Sequence, residues 1–124
     1  MHELSIATSI YDACQATMRQ HGGGRLEVVR VAVGELAALE PDLLRFAWDA
    51  LLAASEDRGC ALEVEWRPAR QRCVACDEEK PRAPGSWLRL CPDCGEPLSL
   101  EGGDELEILQ LSCTGPDEEE GGGT

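Results

Sequence analysis

Two Cys-x-x-Cys pairs, CVAC (Cys73, Cys76) and CPDC (Cys91, Cys94), stand fourteen residues apart in a stretch that has little else to fold around. Between Pro68 and Gly102 the chain is poor in aliphatic residues and rich in proline and charge. Such a segment cannot assemble a hydrophobic core unaided, so it needs a staple. Two residues between thiolates let one tight turn aim both sulfurs at one ion, and two such turns supply the tetrahedral sulfur set that zinc prefers. Gly95, directly after the second pair, lets backbone amides approach the sulfurs.

The chemistry of that set points to structure rather than catalysis. Four thiolates leave no open coordination position for water or substrate, which argues against hydrolytic zinc chemistry. Iron, or a dithiol redox pair, is the other use of such spacing, but a redox pair belongs at a helix start in a βαβ unit and neither pair stands there. Zinc ribbons often bind nucleic acid. Here Arg70, Arg72, Lys80, Arg82 and Arg89 are interleaved with Asp77, Glu78, Glu79, Asp93 and Glu96, so no basic stripe remains for phosphates.

Seven cysteines in 124 residues could form a disulfide framework, but no export signal precedes them and seven is odd. Cys14, Cys60 and Cys113 read as small buried hydrophobes, and His21, in the HGGG turn, as an exposed surface residue. The amino terminus lacks the basic flank and apolar stretch of a signal peptide, and no apolar run approaches the roughly 20 residues that span a bilayer. The expectation is a cytoplasmic protein without a membrane partner. The net charge of −13 repels polyanions and suits cationic surfaces or metal ions.

Around the insertion the sequence reads as one α+β body. Leu4, Ala7, Tyr11, Cys14 and Met18 recur at helical spacing, and the glycines of HGGG end that helix. RLEVVRVAVG (Arg25 to Gly34) is rich in β-branched residues and reads as a strand, with alternation that slips near Val29 and suggests a bulge or two-sided burial. Pro41 opens a second helix, PDLLRFAWDALLAAS, which stops near Gly59 and whose Leu44, Ala47, Trp48 and Leu51 share a face. ALEVEW alternates as a half-buried strand with Leu62, Val64 and Trp66 inward, and DELEILQL supplies a third strand beyond residue 103. The predicted architecture is a small mixed three-stranded sheet with two helices, plus an inserted zinc-ribbon-like domain. The predicted domains are 1–67 with 103–113, the insertion 68–102, and a disordered acidic tail over 114–124.

The chain begins MHEL. The Met1 amine, the deprotonated amides of His2 and Glu3 and the His2 imidazole are nitrogen donors that together favour square-planar Ni(II) or Cu(II). Each must lose a proton to bind, so such a site depends on pH. By itself a histidine at position 2 is a weak signal.

MHE at the start, VxVGEL in the loop after the first strand (Val31 to Leu36), CxxC after an ALEVEW-type strand, CPxCG and the closing GDELEIL together resemble the HypA/HybF family of hydrogenase nickel-incorporation proteins. The resemblance extends over nearly the whole chain up to Cys113. It implies a metallochaperone and not an enzyme: a nickel-binding α/β domain with an inserted zinc domain, supplying nickel during maturation of [NiFe]-hydrogenase. Carried onto this sequence, His2 becomes a nickel ligand with the backbone nitrogen of Glu3 and the Met1 amine beside it, and Cys73, Cys76, Cys91 and Cys94 become ligands of one structural Zn(II) per chain. Ni(II) is then a transient cargo. Glu40, ahead of Pro41, is a candidate auxiliary carboxylate near the nickel or simply a charge favouring the helix start. The implied partners are a HypB-like, nickel-handling GTPase and the hydrogenase large-subunit precursor, with the chain itself a monomer or weak homodimer. A zinc-ribbon adaptor that binds only protein is the competing reading.

Overall fold

The computed structural model describes residues 2–83 and 85–114. The order of elements is α1 (His2–Gln20), β1 (Arg25–Gly34), a 3-10 turn (Glu35–Ala37), α2 (Pro41–Leu52), β2 (Ala61–Arg67), β3 (Arg70–Cys73), β4 (Glu78–Lys80), β5 (Leu98–Glu101) and β6 (Leu106–Thr114). They form two three-stranded sheets, one ordered β2-β1-β6 and the other β4-β3-β5. The chain divides into two compact units. The first takes the described residues within Met1–Ala32, Leu39–Glu65 and Glu107–Thr124, and the second takes Val33–Ala38 and Trp66–Leu106.

In the first unit the two helices pack against each other. The buried stripe of α1 is Ala7, Ile10, Cys14 and Met18, so Ile10 takes the place predicted for Leu4, which is exposed, and Tyr11, which is half-buried. The reason is local. Tyr11 keeps its ring against the Trp48 indole, edge to face with centroids 5.9 Å apart, while its hydroxyl turns to the buried carboxylate of Asp57.

Helix α2 starts where proline predicts: Glu40 is extended, Pro41 occupies the first turn, and Leu44 N–H donates to the Glu40 carbonyl at 2.9 Å. It ends at Leu52, short of the stop expected near Gly59, where the Ser55 hydroxyl donates to the Leu52 carbonyl at 2.9 Å and closes the last turn. Leu44, Ala47, Trp48 and Leu52 are its buried face. Leu52 thus replaces the predicted Leu51, which is only half-buried.

Strand β1 is the centre of its sheet and spans the predicted residues. Alternation gives way to continuous burial from Val31 to Gly34, the two-sided burial that the broken pattern suggested. In β2 only Leu62 is fully buried. Val64 is half-buried and Trp66 lies 45% exposed, so the predicted inward face fades toward the strand end. β6 begins at Leu106, and it continues through Thr114, a residue predicted to open the tail. The remainder of that tail, 115–124, lies outside the described residues.

The second unit carries a sheet that the sequence reading did not resolve. β3 pairs antiparallel with both neighbours, Gln71 opposite Lys80 and Cys73 opposite Glu78 on one side, Arg70 opposite Glu101 and Cys73 opposite Leu98 on the other. Its strands are three or four residues long, too short to stand out as periodicity. Gly34 also belongs to this unit. Its N–H donates to the Glu105 carbonyl at 2.7 Å, Leu36 N–H donates to the Gly103 carbonyl at 2.6 Å, and a β-carbon on Gly34 would overlap the Gly103 carbonyl. Glycine is required by that close approach of backbones.

Candidate metal centre

Strand β3 delivers Cys73 at its end, and the turn through Val74 and Ala75 brings Cys76 back so that its N–H donates to the Cys73 sulfur at 3.3 Å. The second turn repeats the device. Asp93 N–H donates to the Cys91 sulfur at 3.4 Å, and Gly95, at φ 78°, closes the turn by donating to the Cys91 carbonyl at 2.9 Å. The Cys73 and Cys94 sulfurs are 3.5 Å apart, those of Cys76 and Cys91 are 3.9 Å apart, and all four lie within 4.8 Å of one another. Zinc with sulfur at about 2.3 Å in a tetrahedron sets sulfurs about 3.8 Å apart, so this set fits one such ion.

The proton chemistry points the same way. Hydrogen bonding from Cys94 and Cys73, with burial, pushes the Cys76 thiol up to about 12. Burial also acts upward on Cys91, but the Asp93 and Cys94 amides outweigh it and bring that thiol down to about 7. On Cys94 the Glu96 amide favours the thiolate, as expected of the backbone after Gly95, yet the crowding by Cys73 leaves that thiol raised. Four sulfurs this close cannot all ionise against each other, and a divalent cation at their centre removes the conflict.

Around the sulfurs stand polar side chains that belong to no motif in the sequence. Lys80 is 3% exposed, and its ammonium donates to Glu78 and to Asp93, each at 2.5 Å. These two carboxylates, together with Cys76, hold Lys80 protonated well above the usual lysine range despite its burial. Gln71 is also buried and exchanges two hydrogen bonds with the Leu88 backbone, both 2.9 Å. Elsewhere in this unit Glu35 pairs with Arg82, whose guanidinium lies 3.8 Å over the Trp87 ring. Burial of Glu35 acts upward, but Ala69 N–H at 3.0 Å and Arg82 outweigh it and hold the carboxyl below the usual range. Nothing in the spacing of these residues marks them; they meet only because the hairpin folds.

The predicted nickel residues lie in the first unit. His2 is the first described residue of α1 and is exposed, while Met1 lies outside the described residues. The first amides of a helix have no partner within it, so those of His2 and Glu3 are not committed to the helix ladder. Glu3 and Glu40 are brought together: the Glu40 N–H donates to the Glu3 carboxylate at 3.3 Å, which ties the start of α1 to the start of α2. Glu40 itself is the residue before the first turn of α2, and its side chain caps nothing.

His21, Cys14 and Cys60 are where the sequence put them, whereas Cys113, near the end of β6, is half-buried rather than buried. His21 is exposed and Nδ1 donates to the Thr17 carbonyl at 2.8 Å. Cys14 and Cys60 are buried, and burial, followed by the charge of Asp57, pushes each thiol up to about 11. Asp57 is the polar centre of that unit: its carboxylate accepts from the Tyr11 hydroxyl at 2.6 Å, the Gln15 amide at 2.8 Å and the Leu26 N–H at 2.8 Å.

Residues 1–113 match the family described as "Hydrogenase/urease nickel incorporation, metallochaperone, hypA". Two curated relatives are named "Hydrogenase maturation factor HypA". The one from Alkalilimnicola ehrlichii is 36% identical over 112 residues, covering 90% of this chain and 97% of the relative. The one from Solidesulfovibrio magneticus is 37% identical over 114 residues, again covering 90% and 97%. The fold agrees with the solution structure of the Ni metallochaperone HypA from Helicobacter pylori, at a TM-score of 0.61 and 24% identity over 93% of this chain and 99% of that one. A second HypA solution structure superposes at a TM-score of 0.64 and 21% identity, over 92% and 97%. With a match that runs from the first residue through both cysteine pairs to Cys113, the chain belongs to the HypA family of nickel-incorporation metallochaperones.

Proposed function

We propose that this chain binds Ni(II) at its amino terminus and hands the ion on during maturation of [NiFe]-hydrogenase, while its four cysteines hold one structural Zn(II). The observation that carries the reading is the exposed His2 at the head of α1, in a chain of the nickel-incorporation family. The His2 imidazole and the His2 and Glu3 backbone nitrogens, with the Met1 amine ahead of them, form the planar donor set. The Glu3 carboxylate, fixed on the Glu40 N–H, orients the helix end that carries these donors. Glu40 keeps an exposed carboxylate beside it as an auxiliary group.

Transfer follows from position. Nitrogen donors on an exposed chain end can be exchanged one at a time with those of an acceptor, so the ion need never be free in water. Moderate affinity, on the order of micromolar or about −8 kcal/mol, suits a site that must also release its cargo. The acceptors in this reading are a HypB-like GTPase and the hydrogenase large-subunit precursor, in the cytoplasm. The division into a nickel domain (1–67 with 103–113) and a zinc domain (68–102) separates cargo from scaffold. Bound zinc supplies the cross-link, and Cys73, Cys76, Cys91 and Cys94 hold it.

The test uses untagged protein with its native start. Wild type is expected to take up about one Ni(II) per chain with the absorption of a low-spin planar nitrogen site. His2→Ala should abolish that uptake and leave zinc content unchanged. Wild-type nickel affinity in His2→Ala by calorimetry, with hydrogenase maturation still supported in cells, places the cargo site elsewhere and ends this reading.

A further inference from the structure

The two cysteine turns are held to the fold by different means. Cys73 ends β3, whose backbone is paired on both sides, and Cys76 closes the turn that leads into β4. The first knuckle is therefore part of the sheet. The second, Cys91 to Cys94, sits in the long connection between β4 and β5 and contains no strand of its own. Pro92 through Cys94 are exposed. What fastens this knuckle ahead of β5 is side-chain chemistry.

Gln71 and Lys80 are directly opposed in the β3–β4 register, so their side chains leave the same face of the sheet. They are two of the three buried polar residues among the described residues, Asp57 of the other unit being the third. Gln71 grips the connection before the knuckle: its amide donates to the Leu88 carbonyl and accepts from the Leu88 N–H, both at 2.9 Å, like a rung of a sheet. Lys80 grips it inside the knuckle through Asp93, at 2.5 Å. Asp93 in turn donates its N–H to the Cys91 sulfur at 3.4 Å, so the residue that Lys80 holds also bonds that sulfur directly. The buried Lys80 ammonium is answered from both sides, by Glu78 of its own strand and by Asp93 of the knuckle, so opening the knuckle would strip it of one of its two carboxylates.

We propose that Gln71 and Lys80 form a polar latch which holds the second knuckle on the sheet and sets how fast the metal-loaded cluster opens. Opening begins at the Cys91–Cys94 half, with the exposed Cys94 sulfur leaving first, while Cys73 and Cys76 stay fixed in the β3–β4 hairpin. The inference rests on the reading that the four cysteines share one zinc ion. The latch residues are positioning residues and touch no metal.

The test starts from full-length zinc-loaded protein, with zinc per chain measured first so that failure of the metal reading is seen separately. Zinc release to the chromogenic chelator 4-(2-pyridylazo)resorcinol and the order of N-ethylmaleimide labelling, mapped by mass spectrometry, are the readouts. Lys80→Met and Gln71→Met should each release zinc at least tenfold faster, with labelling of Cys91 and Cys94 running ahead of Cys73 and Cys76. Lys80→Met and Asp93→Asn should not add when combined, because they remove the same contact. Should Lys80→Met fail to load zinc, Asp93→Asn, which alters a residue with an exposed side chain, decides the matter alone. Unchanged release in the loaded variants, or simultaneous exposure of all four thiols as general destabilisation produces, overturns the latch.

Discussion

The sharpest contrast at the residue scale is between Cys91 and the two core cysteines, Cys14 and Cys60. Cys91 receives backbone N–H groups and sits near 7, whereas Cys14 and Cys60 lie in the core, where burial and then the nearby charge of Asp57 push them to about 11. Asp57 is a core carboxylate that accepts hydrogen bonds from α1 and β1 while its own backbone N–H donates to the Ser55 hydroxyl, and the loop sequence SEDRG gives no hint that Asp57 rather than Glu56 or Arg58 turns inward. A thiol whose folded pKa is raised favours the native state fully below its unfolded value, and that contribution is lost as pH rises through the folded value. For Cys14 and Cys60 the window is from about 9 to about 11. The urea midpoint should therefore fall across that window, and fall less in the Cys14→Ala/Cys60→Ala variant. An equally steep fall in both proteins assigns the alkaline loss to other groups.

Among the elements, helices α1 and α2 and strand β1 are supported by aliphatic burial, but β3, β4 and β5 are supported by polar side chains and the sulfur cluster. The buried polar pair Gln71 and Lys80, the Glu35–Arg82 pair and the cysteines take the place of a hydrophobic centre in that unit. A unit of this kind should depend on its metal in a way that the helical unit does not. Cys73→Ala, or zinc removal by a strong chelator, is expected to unravel the β4-β3-β5 sheet while the helical circular dichroism of α1 and α2 persists. Full zinc occupancy in a Cys73→Ala/Cys94→Ala double variant contradicts it, as does loss of both units together. The exposed side of α2 carries Leu43 and Phe46 at 51% and 72%, both outside the face that Leu44, Ala47, Trp48 and Leu51 mark in the sequence.

At the scale of the whole molecule, the net charge of −13 sets the long-range behaviour. The basic residues of the cysteine unit are largely neutralised in pairs: Arg72 with Asp77, Lys80 with Glu78 and Asp93, Arg82 with Glu35. Fields of one sign at this density repel polyanions and draw cationic surfaces, more strongly as salt is lowered. Gel-shift titrations at low salt are expected to show no DNA or RNA complex. Tight, salt-sensitive binding to either would place a basic surface where the charge count allows none. Among the described residues no helix is long and apolar enough to cross a membrane.

The sequence by itself determined the features that rest on short-range chemistry. Cys-x-x-Cys turns, a proline-opened helix, a β-branched strand and a glycine-ended first helix are set within a few residues, and Cys73, Cys76, Cys91 and Cys94 meet as their spacing predicts. Its resemblance to a nickel-incorporation family was legible for the same reason, because the motifs are local words. Tertiary structure alone decided that Ile10 and not Leu4 is buried, that Glu3 meets Glu40, and that Gln71 and Lys80 share a face. Each of those outcomes depends on which surface of one element another element covers. Periodicity cannot carry that information, since a helix with apolar residues on several sides, or a strand of three residues, fits more than one partner until the chain has closed.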